Sequence, residues 1–149
     1  MQVDTIITNC SIVRHDETLN AGLAIDKGKI VAVAQDSQLP LAKTIIDGKG
    51  KYIIPGIVDA HVHLQYPPGV DPVSNIRNES KACAAAGCTT MIHLLAPADD
   101  IKNKAREFVS LYEDNAHIDL ALSARIYTRE NIKQISGLVD YGINSVKLL

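Results

Sequence analysis

The sequence predicts an α/β protein in which a β-rich N-terminal segment precedes a parallel sheet with covering helices. After Pro55 and Gly56, four apolar runs alternate with helix-like stretches, at residues 57–62, 89–95, 118–124 and 143–149. The starts of these runs are about 25–32 residues apart, which is the size of a βα unit. Their apolar patterns are continuous rather than alternating, as is typical of parallel strands covered on both faces.

Residues 1–54 are rich in β-branched residues and in glycine-containing turns, which indicates short strands. The segment "GLAIDKGKIVAVA" reads as a hairpin, because Gly28 supplies the positive φ of a tight turn. The segment "KTIIDGKGKYIIPG" repeats this pattern and predicts a second hairpin around residues 47–50. These strands are too few to form a sandwich alone, so we expect them to need partners from elsewhere.

Three stretches between the later strands have helical character. "DPVSNIRNESKACAAAG" stops at Gly87, "ADDIKNKAREFVSLYEDN" begins with acidic residues, and "TRENIKQISGLVDYG" runs from Thr128 to Gly142. Four strands with intervening helices fit two architectures, a doubly wound sheet of four strands or the first half of a (β/α)8 barrel.

Composition excludes several classes of protein. The net charge of −2 indicates no nucleic-acid footprint, and aromatic residues make up only 4% of the chain. No apolar run reaches the roughly 18 residues of a membrane span, and the N-terminus lacks the features of a signal peptide. The three cysteines form no CxxC pair, which favours a reducing, cytoplasmic location.

The stretch "IIPGIVDAHVHLQY" carries the main chemical signal. Residues 53–58 read as a buried strand, and Asp59, His61 and His63 follow at alternate positions on one face. Two imidazoles at a strand end can chelate one metal ion, and zinc prefers such ligands. Asp59 would then orient the pair. The alternative is a pair of exposed histidines in a loop.

Lys147 lies within the apolar segment "GINSVKLL", which reads as a buried strand. A buried ammonium is costly unless its charge is paired or removed. A neutral lysine amine can combine with carbon dioxide, and the resulting carbamate could bridge two metal ions. The alternative is a solvent-facing lysine at a strand end.

The other histidines carry weaker signals. His93 follows the strand "TTMI" and is a candidate for substrate binding, with a hydrogen-bonded core histidine as the alternative. His15 and His117 are expected at the surface.

The motif "PGIVDAHVHL" resembles the signature of the amidohydrolase superfamily, in its cyclic amidase branch of hydantoinases, dihydropyrimidinases, dihydroorotases and allantoinases. "NESKACAAAGCTTMI" is similar to the helix and strand that follow this motif, and "GINSVKLL" is similar to the segment with the carboxylated lysine. The resemblance implies that residues 55–149 form the first half of a TIM-type barrel and that residues 1–54 belong to a side β-sandwich. It also implies that the chain is the N-terminal part of a longer enzyme and is inactive alone.

The resemblance further implies a set of site residues. His61 and His63 would bind one of two divalent metal ions, expected to be zinc, and carboxylated Lys147 would bridge both. Metal-activated water would then hydrolyse a ring C–N bond of a small cyclic amide. The remaining ligands and the general acid/base aspartate would lie in later strands. The complete enzyme is expected to be a homo-oligomer, a dimer or a tetramer, with neither a nucleic-acid nor a membrane partner.

Gln65 is a candidate for substrate binding. Dihydroorotases carry an arginine at this point that pairs with a substrate carboxylate, and hydantoinases carry an acidic residue, so Gln65 departs from both. The third strand, "AHIDLALSARIYT", favours a hydantoinase or dihydropyrimidinase type. The alternatives are a dihydroorotase or allantoinase type and a non-catalytic structural homologue.

Overall fold

A computed structural model describes residues 2–64, 69–96 and 98–148 of the chain. The chain divides into two compact units, Met1–Pro55 and Gly56–Leu149. No helix within the described residues is both long enough and apolar enough to cross a membrane.

The first unit is a single sheet built around its first strand. The strands are β1 (Gln2–Val13), β2 (Thr18–Asn20), β3 (Gly22–Asp26), β4 (Lys29–Ala34) and β5 (Leu41–Ile53), with a 3-10 turn at Asp36–Gln38. β1 pairs antiparallel with β2 and β3 and parallel with β5, while β4 pairs with β3. The predicted β3–β4 hairpin is confirmed, and its turn residues Lys27 and Gly28 both have positive φ.

The second predicted hairpin, around residues 47–50, is wrong. β5 continues through this stretch as one strand that pairs with β1, and the register shifts between Thr8 and Cys10. Lys49 and Gly50 have φ values of 52° and 72°, which marks a bulge rather than a turn. The Asp47 carboxylate stabilises the bulge by accepting bonds from the Lys49 backbone N–H and the Asn9 side chain, both at 2.9 Å.

The second unit is a four-stranded sheet with helices between the strands. In chain order it comprises β6 (Ile57–Val62), α1 (Pro72–Ala85), β7 (Cys88–Leu95), α2 (Ile101–Glu113), β8 (Asp119–Ile126), α3 (Arg129–Gln134), two 3-10 turns (Ile135–Gly137 and Val139–Tyr141) and β9 (Val146–Leu148). The strands lie in the order β6-β7-β8-β9, and each neighbouring pair is parallel. The predicted α/β arrangement of parallel strands in chain order is therefore confirmed.

Side-chain caps begin the helices at the predicted places. Asp71 and Asp100 accept bonds from backbone N–H groups three residues on, in α1 and α2. Thr128 forms a capping box at the start of α3. Gly87 and Gly142 follow the helical segments with φ of 86° and 73°, a conformation that glycine adopts at little cost.

The core of this unit lies between the sheet and the helices. Met91 and Leu95 of β7 and Leu122, Ala124 and Ile126 of β8 pack there with α2. Because side chains alternate along a strand, Ser123 and Arg125 lie on the opposite face of the sheet. That second face carries the candidate site.

The expected burial of the outer strands is wrong. Ile57 and Val58 of β6 are 48% and 54% exposed, and Val146 and Leu148 of β9 are 39% and 70% exposed. β6 and β9 are the edge strands of this sheet, so within the described residues each pairs with a neighbour on one side only. An apolar run predicts a strand, but its burial depends on which elements cover it.

Candidate metal centre

His61 and His63 lie at the carboxyl end of β6, on the face of the sheet away from the helices. The intervening residue Val62 and the following Leu64 pack into the core on the helix side. Alternation along the chain therefore places both imidazoles on the opposite face. Both histidines are exposed.

The two imidazoles are close enough to share one ion. Their Nε2 atoms lie 3.2 Å apart, and the ring centroids are 5.1 Å apart with planes tilted by 54°. Zinc–nitrogen bonds of about 2.0–2.1 Å in a tetrahedron require nitrogen atoms about 3.3–3.4 Å apart. The donor pair therefore fits two positions of one tetrahedral ion. Among the described residues, no group of three or more His, Cys, Asp and Glu side chains is arranged to hold a metal.

Asp59 acts on the backbone of the histidine pair. Its Oδ1 accepts a hydrogen bond from the backbone N–H of His61 at 3.1 Å. Asp59 thus restrains the chain just before the pair, whereas the sequence suggested that it would orient the imidazole rings.

Two further basic side chains, Arg125 and Lys147, share this face. They are register partners on the adjacent parallel strands β8 and β9. The Nε of Arg125 donates to the Leu95 carbonyl at 2.8 Å, and its Nη1 donates to the Tyr127 hydroxyl at 3.3 Å. The guanidinium is therefore anchored to the end of β7 and to Tyr127, the residue that follows β8.

The charges of Arg125 and Lys147 act on His63. Although His63 is exposed, the loss of part of its hydration lowers its pKa below the ordinary value, and the neighbouring Arg125, His61 and Lys147 lower the pKa further. Because a metal ion binds the neutral imidazole, these surroundings favour the form that His63 needs as a ligand.

His93 lies on the other face of the sheet. The residue is 3% exposed, and its ring stacks on Phe108 of α2 with centroids 4.3 Å apart. Its Nδ1 is 3.2 Å from both the Leu64 nitrogen and the Val62 oxygen, so the tautomer decides which bond forms. Burial lowers the pKa of His93 to about 4. This is the hydrogen-bonded core histidine of the alternative interpretation, and it secures the end of β6 rather than lining the site.

Gln65 lies outside the described residues. His15 and His117 are exposed, as expected. Arg125 was not singled out from the sequence, although a lone basic residue near the end of an apolar strand is the same kind of signal that drew attention to Lys147.

Comparison with known proteins gives relatives over nearly the whole chain. An allantoinase of Escherichia coli O1:K1 / APEC is 32% identical over 145 residues, which is 97% of this chain and 29% of that protein. The chain thus spans about three-tenths of the length of the curated relatives that it matches. No protein-family model matches the chain.

Solved structures of similar enzymes share the fold. The L-hydantoinase (dihydropyrimidinase) from Arthrobacter aurescens superposes with a TM-score of 0.84 at 26% identity, covering 97% of this chain and 32% of that one. The dihydropyrimidinase from Brevibacillus agri NCHU1002 gives 0.82 at 26% identity, covering 95% and 32%. The chain is therefore similar, over almost all of its own residues, to about three-tenths of an allantoinase and to about a third of a hydantoinase.

Proposed function

We propose that the complete protein hydrolyses a ring C–N bond of a cyclic amide of the hydantoin or dihydropyrimidine type. The observation that carries this proposal is the pair of Nε2 atoms of His61 and His63, 3.2 Å apart at a strand end. The names of the relatives, allantoinase, hydantoinase and dihydropyrimidinase, support the same reaction class.

The architecture that we propose is the first half of a (β/α)8 barrel. Four consecutive parallel strands in chain order with intervening helices support it, because a barrel is built by repeating this unit. In such a barrel the carboxyl ends of the strands carry the chemistry, and His61, His63, Arg125 and Lys147 all lie toward those ends. We propose likewise that the sheet of residues 1–54 is part of a side β-sandwich.

His61 and His63 would hold one of two divalent metal ions, zinc in our proposal, and Lys147 as its carbamate would bridge the two. When bound, such ions supply Lewis acidity toward the ring carbonyl and make water more acidic. The chain itself contributes by holding the backbone that carries His61 and His63 in place. Asp59 restrains the backbone before the pair, and buried His93 restrains the backbone after it.

A second candidate is hydrolysis of allantoin, a hydantoin ring with a ureido substituent. The 32% identity to an allantoinase over 145 residues favours it. A dihydroorotase-type activity has less support, because the neutral amide of Gln65 cannot supply a charge-assisted bond to a substrate carboxylate.

The test is a ring-opening assay on the complete protein, alongside a metal determination on the same sample. Hydantoin, 5,6-dihydrouracil and allantoin serve as substrates, and appearance of the ring-opened product is measured. We expect turnover of at least one ring, loss of that turnover with a chelator and recovery with zinc.

Two results would contradict the proposal in different ways. Full metal occupancy without turnover of any cyclic amide would mean that the reaction class is wrong. Absence of both metal and turnover would favour the non-catalytic structural homologue.

A further inference from the structure

Arg125 and Lys147 form an unusual pair. They are directly opposite each other on neighbouring parallel strands, which lie about 4.8 Å apart in a sheet. Both belong to the face of the sheet that carries His61 and His63. Like charges placed directly opposite across two strands destabilise the pairing.

No acidic side chain relieves this repulsion in the part of the chain that the structure describes. The ion pairs there involve other lysine and arginine residues, and neither Arg125 nor Lys147 has a carboxylate within ion-pair distance. Both side chains are half-buried, so water screens the two charges only in part. The arrangement therefore favours an additional negative charge between them.

The Arg125 guanidinium is held in a position to meet such a charge. Of its five N–H donors, one on Nε and one on Nη1 are engaged by Leu95 and Tyr127. Those two contacts fix the plane of the guanidinium and leave Nη2 to donate elsewhere. An anchored guanidinium loses little entropy when it binds a carboxylate, which makes the bond effective.

We propose that Arg125 is a positioning residue that stabilises the carbamate of Lys147, an inference that rests on the proposed function. Carboxylation converts the Lys147 side chain from a cation to an anion. The like-charged pair Arg125–Lys147 then becomes an opposite-charged pair on adjacent strands.

The reaction itself needs only carbon dioxide as a co-reactant. The lone pair of the neutral Lys147 Nζ forms a bond to the carbon of carbon dioxide, and one C–O π pair moves onto oxygen. Nζ then loses a proton to water, which leaves an N-bound carboxylate with one negative charge. Arg125 donates to this carboxylate and takes no part in the bond changes.

A carboxylate on the substrate is the competing partner for Arg125. The carbamate is favoured because it would form on the immediate register neighbour, and because hydantoin and dihydropyrimidine rings need carry no carboxylate. A substrate role for Arg125 is the alternative that the experiment below distinguishes from the carbamate.

The experiment measures carboxylation directly, without using turnover. The complete protein is equilibrated with increasing ¹³C-labelled bicarbonate in the presence of zinc, and the ¹³C carbamate signal is recorded by NMR. Lys147→Ala identifies which signal belongs to Lys147. Arg125→Gln and Arg125→Met remove the charge, Arg125→Lys keeps it, and Arg77→Gln on the exposed face of α1 is the matched control.

We expect the bicarbonate concentration for half-carboxylation to rise about tenfold or more in Arg125→Gln and Arg125→Met, from the usual strength of a charge-assisted hydrogen bond. Arg125→Lys should stay within about threefold of the unsubstituted protein, and Arg77→Gln should match it. Thermal unfolding of each variant shows whether it is folded. Two neutral replacements, Arg125→Gln and Arg125→Met, are used so that the test still stands if one of them does not fold.

The outcomes separate this inference from the proposed function. An Arg125-dependent carbamate signal without cyclic amide turnover supports the inference and contradicts the function. Normal turnover with an unchanged carbamate titration in both neutral variants overturns the inference and leaves the function intact. The inference is also overturned if no signal depends on Lys147, or if Arg125→Gln impairs only substrates that carry a carboxylate.

Discussion

The Nε2 atoms of His61 and His63 lie 3.2 Å apart on a face of the sheet that the helices do not cover. Two separate interactions restrain the backbone that carries them. Asp59 holds the His61 N–H from one side, and His93 contacts the backbone of Val62 and Leu64 from the other face. The two Nε2 atoms lie within hydrogen-bonding distance of each other, as two nitrogen ligands of one ion would.

Replacing His61 should remove metal. In the complete protein, His61→Ala deletes one of the two nitrogen donors, so we expect loss of one of the two proposed ions and of turnover. Metal content per chain is measured after dialysis, with His117→Ala as the control. The His117 bond to Ser80 uses its backbone N–H, so its side chain is dispensable. Full metal content and a normal rate in His61→Ala would mean that the pair is not a metal site.

Lys147 should be replaceable by an added carboxylate but not by arginine. Lys147→Ala removes the proposed bridge, so turnover should be lost and partly restored by formate or acetate in the buffer. Lys147→Arg should stay inactive, because a guanidinium keeps its charge and forms no carbamate. Lys133→Ala, which breaks only an exposed pair with Glu130, is the control. Near-normal turnover in Lys147→Arg would rule out the bridging role.

Acid should destabilise the fold through His93. Burial is the main cause that lowers its pKa from 6.5 to about 4, and the charges of His63 and Arg125 act in the same direction, while the bond to Val62 opposes them. Between these two values the unfolded chain binds the proton and the folded chain does not. Stability should therefore be fully present above pH 6.5 and fall as the pH drops toward 4, by roughly 3 kcal/mol at most.

Urea denaturation at several pH values between 4 and 7.5 measures this effect. His93→Asn places an amide near the position of Nδ1 but does not titrate. It should be less stable at pH 7.5, because the stacking on Phe108 is lost, and its stability should depend less on pH. An equal pH dependence in both proteins would assign the effect to other groups.

The bulge in β5 should be sensitive at Gly48. A Cβ there would lie 2.8 Å from the Cys10 Cβ and 2.9 Å from the Asn9 carbonyl oxygen. Gly48→Ala should therefore cost roughly 1–3 kcal/mol of unfolding free energy, the usual range for overpacking. Gly50 has φ of 72° and no atom within 4 Å of an added Cβ, so Gly50→Asn should cost less than about 1 kcal/mol. Equal costs at the two positions would contradict the close approach of β1 and β5.

Local chemistry made several features readable from the sequence. The capping residues Asp100 and Thr128 and the helix-ending Gly87 act on backbone groups within a few residues, so their effect does not depend on the rest of the fold. The alternation that places His61 and His63 on one face is likewise a property of any extended chain. The positions of the helices and the common face of the histidine pair followed from these local rules.

Only the tertiary structure decided which strands pair and what covers them. "DGKG" in β5 has the composition of a hairpin turn, but the backbone hydrogen bonds that β5 forms along β1 make it a bulge. His93 follows an apolar run like any site residue, yet packing against Phe108 places it in the core. The pairing of Arg125 with Lys147 depends on the register of two strands about twenty residues apart in the chain. Such contacts are set by the whole sheet and its helices, because a strand's own residues specify its alternation but not its neighbour.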